Sequence, residues 1–109
     1  MQFLLRKGLR PVAQNFRCRG GEIDLIMLHG NCLAFIEVRY RRSVQFSSPA
    51  ATVDRSKQGK ILRTAAYFLA SEQRYAEHTT RFDVVAVIGE TPDGIRWIQD
   101  AFRPDHSAL

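Results

Sequence analysis

Apolar and polar residues along this chain follow two periods, and the switches between them outline a fold. Runs rich in β-branched and aromatic residues occur at roughly 11–18, 22–28 and 33–40, separated by glycine-containing turns, and predict three successive strands. After a polar stretch, "SVQFSSPAAT", helical spacing takes over. Ile61, Leu62, Ala65, Ala66 and Leu69 form one stripe of a helix predicted from about 53 to 71. Gln58 lies at the N-terminal end of that stripe, and Lys57, one turn before Ile61, leans over the same face. "RFDVVAVIG" (81–89) is almost wholly apolar and predicts a central strand, and a "TPDG" turn then leads to a last strand, "IRWIQDAF". At the other end, "FLLRKG" reads as the final turn of a helix, with Arg6 and Lys7 near its C-terminus and Gly8 closing it. The pattern predicts one α/β domain to residue 103 and a loose tail over 104–109.

Composition adds little until charge is divided along the chain. The 109 residues are 45% apolar and 25% charged, ordinary values for a globular domain. Residues 1–63, however, carry 12 Lys and Arg against four acids, whereas residues 64–109 carry four against seven. A basic half of this kind suits a polyanion or an anionic surface. No stretch is long and apolar enough for a signal-peptide core or a membrane span, so the expected location is the cytoplasm and no membrane partner is expected. Cys18 and Cys32 lack zinc-finger spacing and read as small core residues; the three histidines are scattered.

The chemistry lies in the acids that interrupt the apolar runs. If Gly30-Asn31 is a two-residue hairpin turn, paired residues sum to 61, so Asp24 faces Glu37 and Glu22 faces Arg39. Directly opposed residues share a face with Cβ atoms about 4.5–5.5 Å apart. Two carboxylates so placed repel, and a divalent cation such as Mg²⁺, which takes oxygen ligands and keeps several waters, would offset the repulsion. An acid pair, a metal and a cationic side chain are what metal-assisted phosphodiester cleavage requires. The same spacing also allows a Glu22–Arg39 salt bridge, with Asp24 and Glu37 facing solvent or paired with Arg17, Arg41 or Arg42. Spacing alone leaves both readings open.

The ordered motifs "GEIDLI", "FIEVRYR", "SKQGKI...AAYFL", "RFDVVAVIG" and a terminal "AF" resemble the YraN family, a branch of the PD-(D/E)XK nuclease superfamily close to archaeal Holliday junction resolvases. The resemblance covers Phe3 to Phe102. It implies a restriction endonuclease-like mixed β-sheet of about five strands flanked by helices, with the N-terminal helix largely missing here. It also implies a Mg²⁺- or Mn²⁺-dependent endonuclease on DNA rather than RNA, with branched or structured DNA preferred to plain duplex.

Residue by residue, Asp24 and Glu37 match the motif acids, the Val38 carbonyl would be a further metal ligand, and Arg39 stands at the lysine position. Gln58 matches the polar position that would orient water or substrate. Glu22 belongs to the family signature. Arg41, Arg42, Arg55, Lys57, Lys60 and Arg63 are expected to contact the nucleic-acid backbone.

Two departures from the pattern temper this. Arginine at 39 holds charge but cannot lose a proton, which excludes its use as a base. If the position needs a compact ammonium, activity is weak and Arg39→Lys restores it, the outcome this reading favours; otherwise charge suffices, or Lys57 or Lys60 supplies the amine. The shortened first helix implies either weakened activity or its replacement by a second copy of the chain in a homodimer. The alternative function is a nucleic-acid-binding module on a nuclease fold without catalysis.

Overall fold

The computed structural model describes residues 1–41, 53–89 and 92–104. A short helix α1 (Gln2–Arg6) is followed by strands β1 (Arg10–Cys18), β2 (Gly21–His29) and β3 (Cys32–Arg41). Helix α2 (Arg55–Ser71) and a 3₁₀ turn at Gln73–Tyr75 lead to β4 (Thr79–Ile88), and a second 3₁₀ turn at Pro92–Gly94 leads to β5 (Ile95–Phe102). The five strands form one mixed sheet in sequence order. β1 pairs antiparallel with β2 and β2 with β3, β3 and β4 run parallel, and β5 returns antiparallel to β4. The parallel pair needs a long crossover, which α2 supplies. This is the α/β arrangement of a restriction endonuclease-like domain, as the motifs implied.

The sheet has two apolar faces of unequal cover. One face, with Ile23, Ile26, Leu33, Phe35, Phe82 and Val84, packs under α2. There Phe35, Phe82 and Phe102 stack with centroids 5.4 and 5.3 Å apart, and Phe68 of α2 meets Phe35 edge-on. The other face, with Leu25, Met27, Ala34, Ile36 and Val85, meets Leu4 and Leu9. α1 closes through paired reverse bonds, Gly8 N–H to the Leu5 carbonyl and Leu9 N–H to the Leu4 carbonyl, with Gly8 at φ 92°. That cap uses glycine's tolerance of left-handed backbone and brings Leu4 and Leu9 together.

The helical stripe differs in detail from the periodicity. Ala66 is exposed, whereas Thr64 and Phe68 are buried with Ile61 and Ala65. Thr64 tolerates burial because its hydroxyl donates to the Lys60 carbonyl at 2.8 Å. The apolar reading of "RFDVVAVIG" also passes over a polar centre. Asp83 is fully buried and accepts four hydrogen bonds: from Arg81 Nε and Nη2 (2.8 and 2.9 Å), Trp97 Nε1 (3.0 Å) and the Asp100 amide (2.9 Å). Asp100 has φ 55°, and the β4–β5 register shifts between Phe82 and Val84, so the carboxylate fastens a bulge.

Candidate functional site

The hairpin register is the expected one from His29–Cys32 to Leu25–Ile36, where among the described residues the β2–β3 ladder ends. The break comes at Asp24. On the other side of β2, Asn15 and Asp24 both drop out of the ladder between Gln14–Leu25 and Phe16–Ile23, and Asn15 has φ 51°. Strict alternation would place Ile23 with Leu25, yet Ile23 lies under α2 and Leu25 on the opposite face. β2 therefore breaks its alternation at Asp24 without shifting its register against β1, and the Asp24 carboxylate takes the place of a main-chain acceptor: its Oδ2 accepts the Val38 N–H at 2.8 Å. Asp24 consequently borders two clefts, one of about 390 Å³ on the α1 side and one of about 380 Å³ beneath the start of α2.

The second cleft gathers the candidate chemistry. Asp24 and Glu37 line it from the sheet, and Asp54, Ser56, Lys57 and Lys60 line it from α2. Glu37 is only 5% exposed, and its Oε2 lies 2.5 Å from Lys57 Nζ and 3.6 Å from Arg39 Nη1. Burial pushes the Glu37 carboxyl above its usual range, neighbouring Lys57 lowers it, and Asp24 raises it again. The register argument named the Asp24–Glu37 pair but not the Lys57–Glu37 contact. Its signal was present: helical spacing places Lys57 above the buried stripe, and Asp54 caps α2 by accepting the Lys57 N–H at 2.8 Å. Gly21, at φ 153°, allows the helix to approach β2, because a Cβ there would meet the Thr64 hydroxyl at 3.2 Å and Lys60 Cβ at 3.4 Å.

Other candidates lie elsewhere. Glu22 borders the cleft, but its carboxylate bonds Arg17 Nε at 2.7 Å; the register of β1 against β2 opposes these two directly, which replaces the expected Glu22–Arg39 pair. Gln58 does not line the cleft: its amide donates to the Val53 carbonyl at 2.8 Å and holds the approach to α2. Arg55, Lys60 and Arg63 are exposed on α2. Arg41 ends β3, and Arg42 lies outside the described residues.

The donors fit a hard divalent ion in kind: of the four carboxylates lining the cleft, Glu22 is engaged by Arg17 and Asp54 caps α2, which leaves Asp24 and Glu37, and no thiol or imidazole lines it. Among the described residues no group of three His, Cys, Asp or Glu converges, so the side chains would supply two carboxylates, and the Val38 carbonyl and water the remainder. No helix among the described residues is long and apolar enough to cross a membrane.

Comparison with known proteins gives a consistent answer. The sequence model of the family described as "Uncharacterised protein family UPF0102" matches residues 1–87. A UPF0102 protein of Saccharophagus degradans is 50% identical over 101 residues, 93% of this chain and 83% of the relative. One from Aeromonas hydrophila is 49% identical over 102 residues, 93% of this chain and 76% of the relative. A third, from Pseudomonas syringae, is 43% identical over 104 residues, 94% and 85% of the two chains.

Proposed function

We propose that this chain, which belongs to the uncharacterised protein family UPF0102 and so to the PD-(D/E)XK nuclease-like superfamily, is a metal-dependent endonuclease acting on DNA. The observation that carries the reading is the Asp24 carboxylate, which leaves the strand alternation to bond the Val38 N–H and lines one cleft with buried Glu37, Lys57 and Lys60. Asp24, Glu37 and the Val38 carbonyl would hold Mg²⁺ or Mn²⁺, which supplies an activated water and a Lewis acid for a phosphate oxygen. Arg39, beside Glu37, stabilises charge developing on the phosphate. Lys57, Lys60 and Arg63, along α2, contact the backbone without reading sequence, and Arg55, Arg41 and Arg42 are the further candidates for such contacts. Gln58 is a positioning residue that holds the entry to the helix. Branched or structured DNA is the preferred substrate, by likeness to the resolvases.

A second reading, a nucleic-acid-binding module without turnover, is favoured by one observation: arginine stands where the superfamily motif has lysine. One panel separates the two. Branched, single-stranded and duplex DNA and RNA are incubated with Mg²⁺ or Mn²⁺ and the wild type or Asp24→Ala. Metal-dependent cleavage by the wild type alone supports the nuclease. Binding that weakens with salt, with a log–log slope of about −0.9 per neutralised phosphate, but without cleavage of any substrate, supports the module.

A further inference from the structure

We propose that Lys57 and a divalent cation exclude one another at Glu37, so that cation entry releases the Lys57 ammonium to the phosphates of a bound nucleic acid. The inference rests on the reading of Asp24 and Glu37 as a metal-holding pair. Lys57 Nζ lies 2.5 Å from Glu37 Oε2, close enough to use that oxygen as its hydrogen-bond acceptor. A divalent ion would need a carboxylate oxygen at about 2.0–2.1 Å. Both cations therefore seek one carboxylate in one cleft, where they repel each other, and the ion brings two charges to the acid pair where Lys57 brings one.

Displacement requires little rearrangement. The Lys57 main-chain amide is fixed by the Asp54 cap, so only the four-carbon stem has to turn. The side chain is already 42% exposed, which gives the ammonium a route to water without opening the core. Lys60 lines the same cleft and Arg63 follows one turn later, so an ammonium swung outward joins a cationic row. A contact that balances the acid pair thus becomes a phosphate contact when a stronger cation arrives. By linkage, metal and nucleic acid then strengthen each other's binding.

Calorimetry with Mn²⁺ on the full chain tests this in wild type, Lys57→Met and Glu37→Gln, because methionine keeps an apolar stem without the charge. Lys57→Met is expected to bind Mn²⁺ about tenfold more tightly than wild type, and Glu37→Gln to lose the site. A site detectable only in Lys57→Met is the extreme form of the same result. DNA affinity measured in Ca²⁺ and in chelator should rise with the ion in wild type and rise less in Lys57→Met. Unchanged or weakened Mn²⁺ affinity in Lys57→Met, with wild type binding, overturns the exchange and leaves the metal site standing. No Mn²⁺ binding in wild type or Lys57→Met overturns the metal reading and the exchange with it.

Discussion

Asp83 and Glu37 sit on neighbouring parallel strands, one register position apart, and both are shut off from water, yet the protein treats them in opposite ways. Asp83 is closed. Arg81 grips it through two nitrogens, Trp97 and the Asp100 amide take the remaining directions, and His29 Nδ1 lies 3.0 Å from Arg81 Nη2 to complete the ring of partners. Glu37 is left open. It shares its surroundings with a second carboxylate, its nearest partner is a half-exposed lysine, and it borders a cleft. A buried acid whose lone pairs are all used stabilises a fold; one whose neighbours raise its energy is poised for a ligand.

The comparison is broken most forcefully at Asp83. Asp83→Ala strands the Arg81 guanidinium and removes the anchor of the β5 bulge, and should cost about 3–5 kcal/mol. That is a large part of the roughly 5–15 kcal/mol a domain of this kind possesses. Denaturant unfolding reads it directly, and a change under 1 kcal/mol would refute the assignment of Asp83 as structural.

Arg39 gives the next effect. Arg39→Ala should lower cleavage by at least tenfold, equivalent to about 1.4 kcal/mol of barrier. Arg39→Lys should stay within a few-fold of wild type. The sequence favours a gain on Arg39→Lys; none is expected here, because Lys60 lines the same cleft and brings an ammonium to the phosphate whichever cation holds Glu37. A gain well over tenfold would restore the earlier expectation.

Glu37→Gln should act on stability in the opposite manner to Asp83→Ala. It removes a buried charge beside Asp24 and frees a lysine that water can solvate, so chelator-treated protein should stay within about 1 kcal/mol of wild type. Loss of several kcal/mol would make Glu37 a second Asp83.

The smallest effect belongs to Asp100, whose bond to Arg103 holds its carboxyl below the usual aspartate range. A depressed folded pKa contributes stability above the unfolded value and loses it as pH falls through the folded one. Asp100→Asn keeps the left-handed backbone, so its unfolding curve should lie slightly below wild type at neutral pH and merge with it in acid. Parallel curves at all pH values would exclude the Arg103 bond as the cause.

Much of this was legible in the residues. β-branched runs marked all five strands, and the Gly30-Asn31 turn set a register that holds from His29–Cys32 to Leu25–Ile36, one pair short of Asp24 and Glu37, which line one cleft. The arithmetic failed at Glu22 because the β3 ladder ends at Leu25, the Asp24 side chain takes the Val38 N–H, and Glu22 is opposed instead by Arg17 of β1; period two cannot register that. Apolarity misjudged α2 for a related reason: Thr64 is polar in composition but satisfied within its own helix, while Ala66 is apolar and faces water. Asp83 was hidden in an apolar strand because its four donors come from β4 and β5, and no local pattern announces such a convergence.

The central claim is that the open pair, Asp24 and Glu37, holds one divalent ion. Calorimetric titration of Mn²⁺ into wild type, Asp24→Ala and Glu37→Gln tests it most directly, with circular dichroism confirming that each variant is folded. The account predicts one site in wild type that either substitution abolishes. Equal binding by all three proteins would contradict it.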